Sequence, residues 1–205
     1  MTVLGLFILA FTVTNIAFAE EGKTPALAEE AVEAQSEEAP ADPSVTYSPD
    51  FCEFGVTFPD EPYTARRCEG EDRSQCYDLV SYTQVYGLST TVNFRVICNP
   101  IGADILEAYS PEVMETTLRA LTKNSVVEEF DATYREEDGY KQAGLVGEGH
   151  VGRTPTIYLA QLWIGKKSAL SLEAELIGDA VGDADKLFGE VLKSVGLQTE
   201  DEAKD

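Results

Sequence analysis

The chain has 205 residues, of which 43% are hydrophobic, and a net charge of −22 from 37 acidic and 15 basic side chains. That length and apolar content suit one globular domain of ordinary size with chain to spare, not a fibre or a wholly disordered protein. So acidic a surface repels nucleic-acid phosphates and anionic lipid headgroups, which sets both aside as partners.

The first residues read as a signal peptide, 1–19. An apolar run of 11 residues from Val3 to Val13 precedes Ala17-Phe18-Ala19, the small-residue triplet that signal peptidase needs. No Lys or Arg precedes the run, which departs from the usual pattern. The alternative is an uncleaved anchor, which would reach only the lower edge of a spanning length. Cleavage is expected after Ala19, and no later stretch is long and apolar enough to span a membrane. Residues 20–44 then form an Ala/Glu/Pro segment with eight acids against Lys23 and no aromatic residue. Such a composition cannot bury enough surface to offset ordering, so a disordered acidic linker is expected, with a removable pro-segment as the alternative. Residues 199–205 form a short acidic tail.

Between these ends lies a single α+β domain, 45–198. Cys52, Phe54, Val56 and Phe58 alternate with Glu53, Gly55 and Thr57, the pattern of a half-buried strand. Strands near Tyr63 to Cys68, from Tyr77 to Tyr86 and from Val92 to Cys98 follow, and the four together read as an antiparallel meander. Ser110-Pro111-Glu112 offers a helix cap, a proline at the first helical position and an early acid. Val113, Met114, Leu118 and Leu121 follow at helical spacing, and Lys123 and Asn124 close the helix. Asp138-Gly139 is a hairpin turn between strands around Phe130 to Tyr134 and Tyr140 to Val146. Ile157 to Ile164 reads as a central strand, apolar on both faces apart from Gln161. Leu170, Leu172, Ala174 and Leu176 point inward from the next strand. A last helix, capped by Asp183, carries the stripe Leu187, Phe188, Val191, Leu192 and Val195, and stops at Gly196. Strands, helix, strands, helix in that order predict an antiparallel β-sheet flanked by helices.

Four cysteines in an exported chain predict disulfides. Of three connectivities, Cys68–Cys76 and Cys52–Cys98 are favoured. The first pair flanks a short turn, and the second lies on the inward face of two alternating strands. Each bridge would stabilise by roughly 2–4 kcal/mol. A zinc or redox site is the alternative, but no Cys-x-x-Cys occurs.

Candidate chemistry is sparse. His150, in Gly147-Glu-Gly-His-Val-Gly152, could act as a catalytic imidazole oriented by Glu148, or be a polar residue in a loop or strand bend. No Gly-x-Ser-x-Gly elbow accompanies it. The acids from Asp131 to Asp138 and from Asp179 to Asp185 invite a calcium test, but Glu136 stands where a calcium loop needs glycine. A solvated turn and a helix cap account for both groups. No catalytic, cofactor-binding or metal-binding set is assigned, and no cofactor is expected.

Phe54-Gly-Val-Thr-Phe-Pro-Asp-Glu-Pro-Tyr63 resembles the opening of the PsbP/Mog-type superfamily, which includes exported bacterial DcrB-like proteins. The Ile157 to Ile177 hairpin with its Gly-Lys-Lys turn, and the closing Ala184 to Ser194 helix, resemble that family's later elements. The resemblance implies an α/β/α sandwich of antiparallel strands. Members serve as extrinsic subunits, GTPase-binding factors or envelope proteins and are mostly not enzymes, and no functional residues of theirs transfer to this chain. The resulting expectation is an exported, non-enzymatic envelope protein that binds a protein or small-ligand partner. The alternatives are a hydrolase-like enzyme using His150 and a structural spacer held by an uncleaved N-terminus. Residues 45–198 carry 25 acids against 13 bases, which favours a basic partner. The other account of that acidity is solubility alone.

Overall fold

The computed structural model describes residues 44–70, 75–102, 104–122 and 127–198. The signal peptide, all of the linker except Ser44, the acidic tail and the helix closure at Lys123 and Asn124 lie outside the described residues.

Among the described residues, ten strands and three helices follow in order: β1 (Val45–Tyr47), β2 (Phe54–Phe58), β3 (Tyr63–Glu69), β4 (Gln75–Tyr86), β5 (Thr90–Pro100), α1 (Ile105–Ala108), α2 (Pro111–Leu121), β6 (Val127–Glu137), β7 (Tyr140–Val151), β8 (Thr154–Ile164), β9 (Ser168–Ile177), α3 (Gly182–Ser194) and β10 (Gly196–Leu197). The architecture is α+β. A seven-stranded sheet runs β3-β4-β5-β9-β8-β7-β6, antiparallel throughout. It joins two meanders, β3 to β5 and β6 to β9, along the β5–β9 seam, where Thr91 pairs Ile177 and Pro100 pairs Ser168.

One expectation is corrected here. β2 does not extend the meander; it leaves the sheet and pairs with β1 and β10 in a small three-stranded layer. The reason is burial. Phe54, Gly55, Val56 and Phe58 are all buried, more than an edge position on the large sheet would bury.

Two cores lie on opposite faces of the sheet. On one face Val80, Val92, Phe94, Val96, Leu170, Leu172 and Trp163 pack against β2 and α3. On the other, Leu145, Tyr158, Ala160, Leu162 and Ile164 pack against Met114 and Leu118 of α2. Helices therefore flank both faces, but over different halves. β8 contributes to both cores, because alternate side chains of a strand point to opposite faces. Each fully buried Leu, Val or Phe contributes about 1.5–3 kcal/mol relative to exposure.

Local signals explain the helix ends. Ser110 Oγ accepts a 3.3 Å hydrogen bond from the Val113 N–H, and Pro111 occupies the first turn. In α3, Asp183 is not the cap. Val181 precedes Gly182 at that place, and Asp183 and Asp185 sit inside the first turn, where their charge complements the helix dipole.

Glu53 fastens β2 to the β8–β9 turn. Its Oε2 accepts from the Lys167 N–H at 2.7 Å, the Ser168 N–H at 3.0 Å and the Ser168 hydroxyl at 3.3 Å. In return the Glu53 N–H donates to Ser168 Oγ at 2.8 Å. The carboxylate occupies the space that a Cβ on Gly165 would need.

Disulfides join Cys52 to Cys98 and Cys68 to Cys76. Cys52 and Cys98 are buried and tie the small layer to β5. Cys68 and Cys76 are exposed and face each other across β3 and β4. Such a framework suits an oxidising compartment.

Candidate functional site

The strand registers align three chain segments at one end of the large sheet. Thr91 pairs Ile177, Ile177 pairs Thr156, and Thr156 pairs Gly149. The β4–β5 turn, the β7–β8 turn and the β9–α3 loop therefore meet there. The Thr90 hydroxyl donates to the Asp179 carbonyl at 2.9 Å, and the Gly178 N–H donates to the Pro155 carbonyl at 2.9 Å. Gly178 has φ of 118° and lies against the Ser89 carbonyl, so a side chain there is excluded both by conformation and by space.

Beside them, β7, β8, the end of β9, the β9–α3 loop and the first turn of α3 line an open cavity of about 460 Å³. Its apolar wall includes Pro155, Ile157, Leu176 and Ala180, and its polar wall includes Glu148, His150 and Asp185. Glu148 and His150 sit two apart on β7 and share a face, the one that α3 occupies farther along the sheet. Asp185 comes from the first turn of α3.

His150 needs a correction. It lies in regular strand β7, paired with Pro155, not in a loop or bend. Glycines suggested an irregular segment, but Gly147 and Gly149 are buried positions of a continuous strand. The cavity brings His150 together with Glu148, as the sequence suggested, and adds Asp185. Among the described residues it brings no Ser or Cys to the cavity. Thr156 borders the cavity, but by alternation its side chain belongs to the opposite face, where its Oγ1 is buried without a hydrogen-bond partner.

In the first acid cluster, Glu136 and Glu137 are committed to side-chain partners. Glu136 accepts from the Tyr134 hydroxyl at 2.9 Å and lies 3.9 Å from Lys141 Nζ, and Glu137 lies 3.6 Å from Arg135. Among the described residues, no group of three or more His, Cys, Asp or Glu is placed to hold a metal ion.

Two other places were missed by sequence reasoning. A cavity of about 630 Å³ opens at the other end of the sheet beside Phe51, Glu53, Lys167 and Leu197. Of the two carboxylates lining it, Asp50 and Glu53, the latter is already committed to the β8–β9 turn. On the face carrying α2, beyond that helix, the buried Tyr158 hydroxyl donates to Glu173 Oε2 at 3.0 Å. Burial, more than the neighbouring Glu175, holds the Glu173 carboxyl above its ordinary range, against the pull of Tyr158 and Arg95. Burial first, and then Glu173, pushes the Tyr158 hydroxyl far above its ordinary value. This is a cross-strand network, and the space beside it, about 10 Å³ lined by Asn93, Arg95, Glu173 and Glu175, has room for about one water molecule.

No protein-family model matches the chain, and no curated protein matches it. Among solved structures it is similar to LpqN of Mycobacterium tuberculosis, described as involved in cell envelope biogenesis. The TM-score is 0.42 and the identity 15%, over 75% of this chain and 82% of that one. It is also similar to a Bacteroides thetaiotaomicron protein, with TM-score 0.35 and identity 18% over 76% of this chain. This chain spans about half of that protein, 49% of its length. Backbones this divergent do not transfer a function.

Proposed function

We propose that the chain is an exported, non-enzymatic binding protein of the cell envelope, whose folded domain engages its ligand in the cavity between the β7–β8 hairpin and α3. The observation that carries this reading is the cavity itself. It has the size of ordinary ligand sites, roughly 300–1,000 Å³, and combines an apolar wall with a few convergent polar groups. Export is supported by the Ala17-Phe18-Ala19 triplet and by the two disulfides. The antiparallel sheet between helices supports the PsbP/Mog-type resemblance, whose members are mostly not enzymes.

A fragment collection screened by amide chemical shifts on the mature protein tests the site. Hits should move the amides of Gly149, His150 and Gly178 together. Ile157→Trp fills the cavity from a residue that is 40% exposed, so it leaves the fold intact and should abolish those shifts. Hits that scatter over the surface, or that survive Ile157→Trp, would remove the cavity as the site. His150→Ala separates the enzymatic alternative: a binding module keeps its fold and its ligand, whereas an enzyme loses turnover.

A further inference from the structure

We infer that the cavity receives the side chain of an arginine or lysine, presented by a partner protein between apolar residues. The inference rests on the cavity being the ligand site and adds the chemistry of the ligand.

Charge is the first argument. Glu148 and Asp185 line the cavity, and Asp179 and Asp183 stand in the loop and helix turn beside it. Arg153, at the β7–β8 turn, and Lys186, the residue after Asp185, are the opposing fixed charges beside these four acids. The N-terminus of α3 adds a partial positive charge of about half a unit, which Asp183 and Asp185 inside its first turn already offset. An anion would meet a net negative field here, and a cation would meet the complementary one.

Shape is the second argument. Arginine and lysine carry a charged head on an apolar stem, and such side chains lay the stem along apolar surface while the head seeks its counter-charge. The cavity offers that division, with Pro155, Ile157 and Leu176 for the stem and the two carboxylates for the head.

The surroundings are the third. Leu88, at the tip of the β4–β5 turn, is fully exposed at 105%, and Val146, two positions before Glu148 on the same face of β7, is 39% exposed. Single exposed apolar residues are ordinary on any protein. Here one stands on a turn tip at the cavity end of the sheet and another on the cavity's own face of β7. A free amine or a polyamine would leave them in water, whereas a polypeptide with apolar residues on either side of its cation would cover them. That selects a protein partner over a small cation.

The test uses three acetylated, amidated peptides on the mature protein, Leu-Arg-Leu, Leu-Gln-Leu and Leu-Glu-Leu, with N-acetyl-arginine amide as a small-cation control. Amide shifts report where each binds. The Arg peptide should move Gly149, His150 and Gly178, bind at least tenfold more tightly than the Gln peptide, and lose several-fold in affinity between low and high salt. Glu148→Gln with Asp185→Asn should abolish that preference, and Leu88→Ser should weaken the Arg peptide but not N-acetyl-arginine amide. Equal binding of Arg and Gln peptides, or preference for the Glu peptide, at these same amides would overturn the cationic inference and keep the cavity as a site. N-acetyl-arginine amide binding as tightly as the peptide would overturn the protein partner. If none of the four moves these amides, the inference fails, and a fragment screen that is also silent there removes the cavity reading with it.

Discussion

Replacing Glu53 with alanine isolates the contact between the two layers. The substitution removes one oxygen that accepts three hydrogen bonds from Lys167 and Ser168. The losses are unequal. Lys167 is exposed and water replaces its partner, so that bond contributes little. Ser168 is fully buried, and its N–H would be left without an acceptor. A buried polar group stranded in this way costs about 1–3 kcal/mol, and a hydrogen bond to a charged acceptor contributes about 1.5–3 kcal/mol. Because these describe overlapping losses, the expected destabilisation is about 2–4 kcal/mol. Glu53→Gln keeps an acceptor oxygen and loses the charge, and should cost about 1 kcal/mol. Urea unfolding of the oxidised protein reads both. With a slope of about 1–3 kcal/mol/M, Glu53→Ala should lower the midpoint by more than about 0.7 M at unchanged slope. A midpoint unchanged from the parent's would refute the anchoring role. So would equal effects of alanine and glutamine, which would show that the acceptor does not matter.

Three more expectations follow from the geometry. Gly178→Ala forces a Cβ against the Ser89 carbonyl at a positive φ, and should destabilise by about 1–3 kcal/mol, read by thermal melting; a neutral effect would mean the β9–α3 loop relaxes freely. Mild reductant should open the exposed Cys68–Cys76 bridge before the buried Cys52–Cys98 bridge, as seen by stepwise alkylation and mass mapping; simultaneous opening would contradict the burial argument. Glu173 has its folded pKa raised, so its contribution favours folding below the ordinary value of 4.5 and is lost as pH rises through the folded value. Glu173→Gln should therefore equal or exceed the parent in stability at pH 7, with the gap narrowing below pH 4.5; a gap that widens on acidification would reverse the sign.

What could be read from the chain depended on the range of the interaction. The stripe on α3 was legible because five residues within nine positions set it, and Leu187, Val191 and Val195 are buried while Phe188 and Leu192 pack beside them. The Ser110-Pro111 start of α2 was legible for the same reason. The β5–β9 seam was not, because it pairs Thr91 with Ile177 and no local pattern records a partner so distant. β2 misled because alternation is identical in a sheet strand and in a small covering layer. At the candidate site, Glu148 and His150 were legible as neighbours on one strand. Asp185 was not, since only the β9–α3 loop carries it there. Glycine has low strand propensity, which disguised the end of β7 as a bend.

The seam has a consequence for the order in which the molecule is made. A chain emerges N-terminus first, so β3, β4 and β5 are complete while β9 is still to come. Cys52 and Cys98 are 46 residues apart, so their bridge can close within that early portion. Until β9 arrives, β5 presents an unpaired edge eleven residues long, the kind of edge onto which another chain adds. Its last-made partner is also its correct one. The interval between completion of β5 and arrival of β9 is therefore when the protein is most exposed to pairing with the wrong chain.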